Sequence, residues 1–397
     1  MTSVLARPVA SISSRSALKR PIAPGAIAVL GGLLLVLLRL AFAAHGDIAN
    51  FIVVGSKHVA ASGLPAGIPV IHGTGYDGQF YFRQALDPFD TARVAHGIIL
   101  DGRFRLERLG YPLVVYLLSG GGHLSAVPVV LVAVNILGLG VIGFFGGLFA
   151  VEAGRHACYG LLLPAYFGFV MTLSRDLLEI VEVSFVLAAA LAFRRERYVL
   201  AGLAFACAVV TKETDVATVV GYALALAVAL LRRDRRFRLA PWATVVLPAV
   251  GFLTVQVWLR LATGHIALRS GARGNLATPF VAPVHAFAHY LSHPFVLANA
   301  VWLGEIVVLG LVVLIAVATF GRTSALLEER VALVVLVALA LSLSSAIWNG
   351  QADFRSLAPI YALASLVLVS SKRRLGFVIF IVAGALVVGV VHRILFI

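Results

Sequence analysis

Long apolar runs, broken by short basic segments, recur along nearly the whole chain. The runs are continuous rather than alternating, and several reach the roughly 20 residues that a helix needs to cross a hydrocarbon core of about 30 Å. Only helices and closed barrels satisfy their backbone groups in lipid, and barrel strands would alternate apolar and polar positions. The pattern therefore predicts an all-α, polytopic transmembrane helical bundle of about 11 spans. They fall near residues 26–44, 125–150, 157–174, 178–193, 198–211, 216–231, 241–261, 297–319, 331–348, 356–371 and 375–392. Two long segments, 45–111 and 262–296, separate spans. Residues 112–119 (PLVVYLLS) are too few to span and predict a helix lying at the interface or dipping into it.

Composition fits this reading. The 397 residues are 61% hydrophobic and only 13% charged, about half the charge of a soluble domain. A net charge of +14 raises the question of nucleic acid. The basic residues, however, cluster between apolar runs: RSALKR near the start, RRER at 194–197, RRDRRFR at 232–238 and KRR at 372–374. That is the positive-inside arrangement and not a phosphate-tracking surface, so no nucleic-acid partner is expected. It puts residues 1–25 in the cytoplasm as a basic tail and 26–397 in a single transmembrane domain, with 45–111 and 262–296 on the outer face. The basic stretch leads through Pro21–Ile22–Ala23–Pro24 into a run of spanning length with no small-residue cleavage site, so no leader is expected to be removed. Cys158 and Cys207 both lie in apolar segments and imply neither a disulfide nor a metal framework.

The acids are lopsided. Asp47, Asp77, Asp87, Asp90, Asp101, Glu107, Asp176, Glu179, Glu213, Asp215 and Asp353 all fall on or near the expected outer face. Glu196 and Asp234 instead sit inside basic clusters. Loop acids do not set topology, so the outer collection points to a site.

The first outer segment opens with HGDIANF, where Asp47 directly follows the first span and suits a helix N-cap. Farther on, GTGYDGQFYF places Asp77 between glycines and just before Phe80, Tyr81 and Phe82. Gly73, Gly75 and Gly78 permit a tight backbone and close approach of a ligand. The aromatic rings can stack on a sugar or lie at headgroup level. On the local pattern alone, Asp77 fits a helix cap as well as a reactive acid. Next, DGRFRLERLGYPL sets Arg103, Arg105 and Arg108 beside Tyr111. Outer arginines run against the positive-inside bias and need a partner, either Asp101 and Glu107 or an anion such as phosphate. In SRDLLEIVEVSF, Asp176, Glu179 and Glu182 share related helical faces. Glu182, like Glu305 later, falls in the apolar layer, where acids pair internally or line a cavity. TKETD brings Lys212 and Glu213 to the outer rim, and FRSL sets Arg355 at the start of a late span. His285, His289 and His293 share one helical face. Without an HExxH pattern they predict an interfacial helix in preference to a zinc site.

Taken in order, these elements resemble the GT-C superfamily of integral-membrane glycosyltransferases, which use polyprenyl-phosphate sugars. The resemblance runs from the first span to the tenth. It rests on HGDIANF, GYDGQFYF, GYPLVVYLL before the second span, SRDLLE, the segment FRRERYVLAGLAFACAVVTKET, and ADFRSLAPIYAL. GYDGQFYFRQALDPF also resembles a group of bacterial membrane proteins of similar length that share a GYDGQFY motif. The chain departs from the superfamily in having GYPL in place of YPP and in lacking a DE pair in the first loop.

The resemblance implies transfer of a sugar from a polyprenyl-phosphate donor to an envelope glycan, lipid or protein acceptor. This would occur among membrane lipids on the outer face of the bacterial inner membrane, with a carboxylate of the first loop as base. Asp47 matches that carboxylate by place and Asp77 by local motif. Tyr76, Gln79, Tyr81, Arg105, Arg108, Tyr111, Asp176, Glu179, Lys212 and Arg355 are the implied substrate-binding residues. Arg105, Arg108, Lys212 and Arg355 are the candidates for holding the leaving phosphate. No cofactor is implied. A divalent cation near Asp47 and Asp176 is compatible, but no spacing demands one. Two other classes use similar intramembrane acids. A transporter or flippase for a lipid-linked or anionic substrate would be expected to show an internal repeat or paired broken helices, and neither is evident. A non-catalytic envelope-assembly subunit would leave the outer acids and arginines without a ligand.

Overall fold

The computed structural model describes residues 14–231, 239–350 and 354–395. Residues 1–13 of the expected tail, the basic run 232–238 with Asp234, and Asp353 lie outside the described residues.

The chain is predominantly helical. It begins with α1 (Ser14–Phe42), which starts inside the expected tail and carries Pro21 and Pro24. Segment 45–111 holds α2 (Gly78–Leu86), and α3 (Gly110–Leu118) follows as the expected short helix. Then come α4 (Val127–Glu152), α5 (Gly168–Ser174), α6 (Glu179–Arg194), α7 (Tyr198–Thr211) and α8 (Val216–Leu231). Next are α9 (Ala243–Thr263), α10 (Ala267–Asn275), α11 (Val281–Ser292) and α12 (Leu297–Ala318). The chain closes with α13 (Leu327–Leu341), α14 (Ser345–Trp348), α15 (Ala358–Val369) and α16 (Gly376–Leu395).

Among the described residues, six helices are long and apolar enough to cross a membrane: Pro21–Phe42, Val127–Glu152, Glu213–Leu231, Ala240–Thr263, Leu297–Ala318 and Gly376–Arg393. The expected spans at 178–193, 198–211, 331–348 and 356–371 correspond to α6, α7, α13 and α15. These have 16, 14, 15 and 12 residues, fewer than the roughly 20 of a straight crossing. The run 157–174 is not one helix. It divides into a 3-10 turn (Ala157–Leu162) and α5. Pro164 lies in the break, where its ring cannot donate to a helix. Gly160 abuts α4 so closely that a Cβ there would lie 2.2 Å from the Gly147 nitrogen.

The same small-residue logic joins α1 to α4. A Cβ on Gly143 would meet the Pro24 carbonyl at 2.6 Å, and one on Gly147 the Pro24 ring at 2.7 Å. Without side chains there, the two backbones approach closely and their apolar flanks interlock.

α15 is buried along its whole length. With α6 it connects the two ends of the bundle. At one end the basic segments meet. Arg194 forms a two-pronged pair with Glu329 at 2.6 and 2.7 Å, Arg195 reaches Glu152 at 3.2 Å, and Arg155 donates to the Ser371 carbonyl at 2.9 Å. The other end carries segment 45–111, which is an ordered cap and includes strands that an all-α reading does not anticipate. β1 (Val54–Gly55) pairs parallel with β2 (Val70–Ile71), and β3 (Val94–Ala95) antiparallel with β4 (Ile98–Ile99). The cap has its own apolar cluster, in which Ile52, Phe80, Phe82, Ile98 and Leu106 pack with Leu131 of α4 and Val181 of α6.

Candidate functional site

Asp77 lies where the cap crosses itself. A Cβ on Gly55 would fall 2.1 Å from the Gly75 nitrogen, and Gly75 has φ +65°. A Cβ on Gly78 would fall 2.3 Å from the Arg175 carbonyl oxygen. The glycines around Asp77 thus let the chain approach itself, where the sequence suggested approach of a ligand. Gln79 secures the crossing: its side-chain oxygen accepts from the Gly55 N–H at 3.1 Å and its amide donates to the Thr74 carbonyl at 2.9 Å.

Asp77 occupies the cap position of α2, but its side chain makes no capping bond. The carboxylate turns to two arginines instead, Arg105 at 2.9 Å and Arg355 at 2.6 Å. Arg105 also clasps Asp101 through two bonds of 3.0 and 2.9 Å, with its guanidinium 4.8 Å from the Phe80 ring centre and 4.7 Å from that of Phe104. Arg355 lies over Tyr76 and bonds Glu179 as well. Glu179 accepts from Thr172 at 3.2 Å and from Lys212 at 3.3 Å, and Lys212 continues to Glu182 at 3.3 Å. Arg108 grips Glu213 with two bonds of 2.9 and 2.6 Å. Every cation expected to hold phosphate therefore already has a carboxylate. One further donor is left over: the buried Nε of Arg355 has no hydrogen-bond partner among the described residues.

Burial alone would raise the Asp77 carboxyl, but Arg105, Arg355 and Arg108 outweigh it and hold the group well below the usual carboxylate range. Glu107 behaves in the opposite way. Burial and then the nearby Glu213 charge push it up to about 7, against a hydrogen bond from Gln256 and the charge of Arg108.

Asp77, Tyr76, Gln79, Arg105, Arg108 and Arg355 line a chamber of about 510 Å³. Beside it lies a groove of about 540 Å³ walled largely by apolar residues of α8, α10 and α13, including Val220, Leu268 and Leu339. The two share Arg108, Asn275, Ile347 and Ser356, and Lys212 lines the groove. A polar chamber thus borders an apolar groove, and Arg108 lines both.

The remaining candidates lie elsewhere. Asp47 is exposed and caps a 3-10 turn, accepting from the Ala49 N–H at 2.9 Å; it does not line the chamber. Tyr81 and Tyr111 are fully buried and pack edge to face, and the Tyr111 hydroxyl donates to the Leu131 carbonyl at 2.9 Å. Alternation around α2 sends Tyr81 to the core while Phe80 faces the chamber. Asp176 is fully buried at φ +51° and lies outside the chamber. The chamber also contains residues that sequence reasoning did not single out. Phe104 and Ser356 adjoin arginines that were, whereas His58 and Asn275 carried no signal. Among the described residues, no three His, Cys, Asp or Glu side chains form a group that could hold a metal, and Asp47 and Asp176 belong to none.

The chain matches no family model, no curated protein and no solved structure.

Proposed function

We propose that the protein is a membrane glycosyltransferase that moves a sugar from a polyprenyl-phosphate donor to an acceptor hydroxyl, with Asp77 as general base. The observation that carries this reading is the adjacency of chamber and groove: a carboxylate among arginines in a polar space that shares Arg108, Asn275, Ile347 and Ser356 with an apolar channel. A donor with a charged, sugar-bearing head and a hydrocarbon tail has that shape and that division of polarity.

In this reading the tail lies along α8 and α13 and the phosphate at Arg108, Arg105 and Arg355. The acceptor oxygen bonds to the anomeric carbon while the bond from that carbon to the phosphate oxygen breaks. Asp77 takes the hydroxyl proton. The departing lipid phosphate gains one negative charge, and fixed guanidinium groups stabilise it as the charge develops. A carboxylate clasped by two arginines is a weak base. Phosphate binding supplies a competing anion for Arg105 and Arg355, including the unused Arg355 Nε, and so restores basicity when the donor is present. The bundle crosses the bacterial inner membrane about 11 times with its N-terminus in the cytoplasm, and the chamber faces outward.

The test is transfer from a labelled polyprenyl-phosphate sugar. Asp77→Asn should fold and bind donor, but lose about 10²-fold or more in transfer. Undiminished transfer by this variant would remove Asp77 as the base.

A further inference from the structure

Arg108, Asn275, Ile347 and Ser356 line both the chamber and the groove beside it. A ligand with its head in one space and its tail in the other changes character at these positions. Ile347 has no hydrogen-bonding side chain, and Arg108 gives its Nε and Nη2 to Glu213. Asn275 and Ser356 differ. Both are half-buried, and their side chains have no hydrogen-bond partner among the described residues.

Their backbones, in contrast, are fixed. Asn275 ends α10, and its carbonyl accepts from the Ser344 N–H at 2.8 Å, while the Ser344 hydroxyl donates to the Gly274 carbonyl at 2.9 Å. Leu276 bridges Leu343, so the end of α10 is stitched to the link between α13 and α14. Ser356 sits in a 3-10 turn (Arg355–Leu357), whose Leu357 N–H donates to the Phe354 carbonyl at 2.8 Å. The same carbonyl accepts from the buried Tyr166 hydroxyl at 2.6 Å, which ties the turn to the core. An amide and a hydroxyl carried on fixed backbone are preorganised donors. Arg105 and Arg355 must loosen a carboxylate to reach a phosphate. Asn275 and Ser356 exchange only water, and gain a charge-assisted bond for a neutral one.

We propose that the Asn275 amide and the Ser356 hydroxyl donate to the oxygens of the lipid phosphate and hold it where chamber and groove adjoin. The inference rests on the glycosyltransferase reading and adds two substrate-binding residues to it. With no partner to fix it, the Asn275 amide can turn its Nδ2 to the phosphate. Both bonds strengthen as the bond to the anomeric carbon breaks and the phosphate gains charge. Neutral donors also suit a place lined by Glu107 and Glu213, because they attract an anion without displacing either acid.

The test is thermophoretic titration of the full-length protein in detergent with decaprenyl phosphate and with decaprenol, which has the same tail and no phosphate. Wild type should bind the phosphate more tightly than the alcohol. Asn275→Ala and Ser356→Ala should each weaken the phosphate about tenfold, as expected for one hydrogen bond to a charged group, and leave decaprenol unchanged. Equimolar inorganic phosphate should not displace decaprenyl phosphate; equal competition would assign the site to a free anion and overturn the proposal. Wild-type preference for the phosphate persisting in either Ala variant overturns the proposal and leaves the glycosyltransferase reading standing. A matching loss for decaprenol marks altered shape, not a lost contact with phosphate, and overturns it too. Equal binding of the two lipids by wild type removes the glycosyltransferase reading itself, and this inference with it.

Discussion

A carboxylate in a chamber is informative only through what surrounds it. Asp47 and Asp77 both begin short helical elements, yet Asp47 spends its oxygen on the Ala49 N–H and Asp77 spends none on its helix. Asn caps as well as Asp. Asp47→Asn should therefore leave both melting temperature and transfer near wild type, in contrast to Asp77→Asn. A transfer defect in the Asp47 variant would mean that this cap reaches the chemistry. Glu107 permits a separate test, free of any assay of transfer. Its folded value of about 7 lies above its ordinary 4.5. A carboxyl raised on folding stabilises the fold while protonated. That contribution is complete below about 4.5 and is lost as pH rises through about 7. Glu107→Gln keeps an acceptor for Gln256, which donates to Glu107 at 2.6 Å, and cannot ionise. The variant should melt above wild type at pH 8 and close to it at pH 5. An equal difference at both pH values would exclude titration of Glu107 as the cause.

At the scale of elements, the position of Asp77 depends on glycine contacts. Gly78→Ala would press a Cβ against two backbone oxygens, Arg175 at 2.3 Å and Ile52 at 2.9 Å. Neither can rotate away, so a loss of about 1–3 kcal/mol is expected. Gly304→Ala in α12 meets nothing within 4 Å and should gain up to about 1 kcal/mol as a better helix former. Thermal melts in one detergent should rank Gly304→Ala at or above wild type and Gly78→Ala well below. A Gly78 variant as stable as wild type would show that the α2 start can move. The sequence made the helices legible through their apolar runs, and made the acid–aromatic and arginine segments legible by their cost in such surroundings. The division of 157–174 escaped it because hydropathy does not register Pro164 and Gly160. The network escaped it for a different reason. Helical spacing relates Glu179 to Glu182, but nothing local relates Asp77 to Arg355, 278 positions away, or Arg108 to Glu213, 105 away. Tyr81 and Tyr111 are expected among the substrate-binding residues, yet both turn into the core, because a short helix's composition does not say which face turns inward.

For the molecule as a whole, the two ends of the bundle carry different electrostatics. α6 runs from Glu179 in the network to Arg194 at the basic end, and α15 runs from beside Arg355 to beside Ser371. The described basic segments thus gather opposite the chamber: Arg155 binds the Ser371 carbonyl, the Lys372 N–H donates to the Arg322 carbonyl, and Arg194 pairs with Glu329. Since Lys and Arg near short loops bias those loops toward the cytoplasm, the chamber should face outward. Ser62 and Lys372 are exposed at the two ends. In a background with Cys158 and Cys207 replaced by alanine, Ser62→Cys should react with a membrane-impermeant thiol reagent in intact cells. Lys372→Cys should react only after the membrane is opened. The reverse pattern would place Asp77 and its arginines in the cytoplasm and rule out a donor presented from the outer leaflet. It would leave the internal geometry of the chamber unchanged, so orientation and chemistry can fail independently.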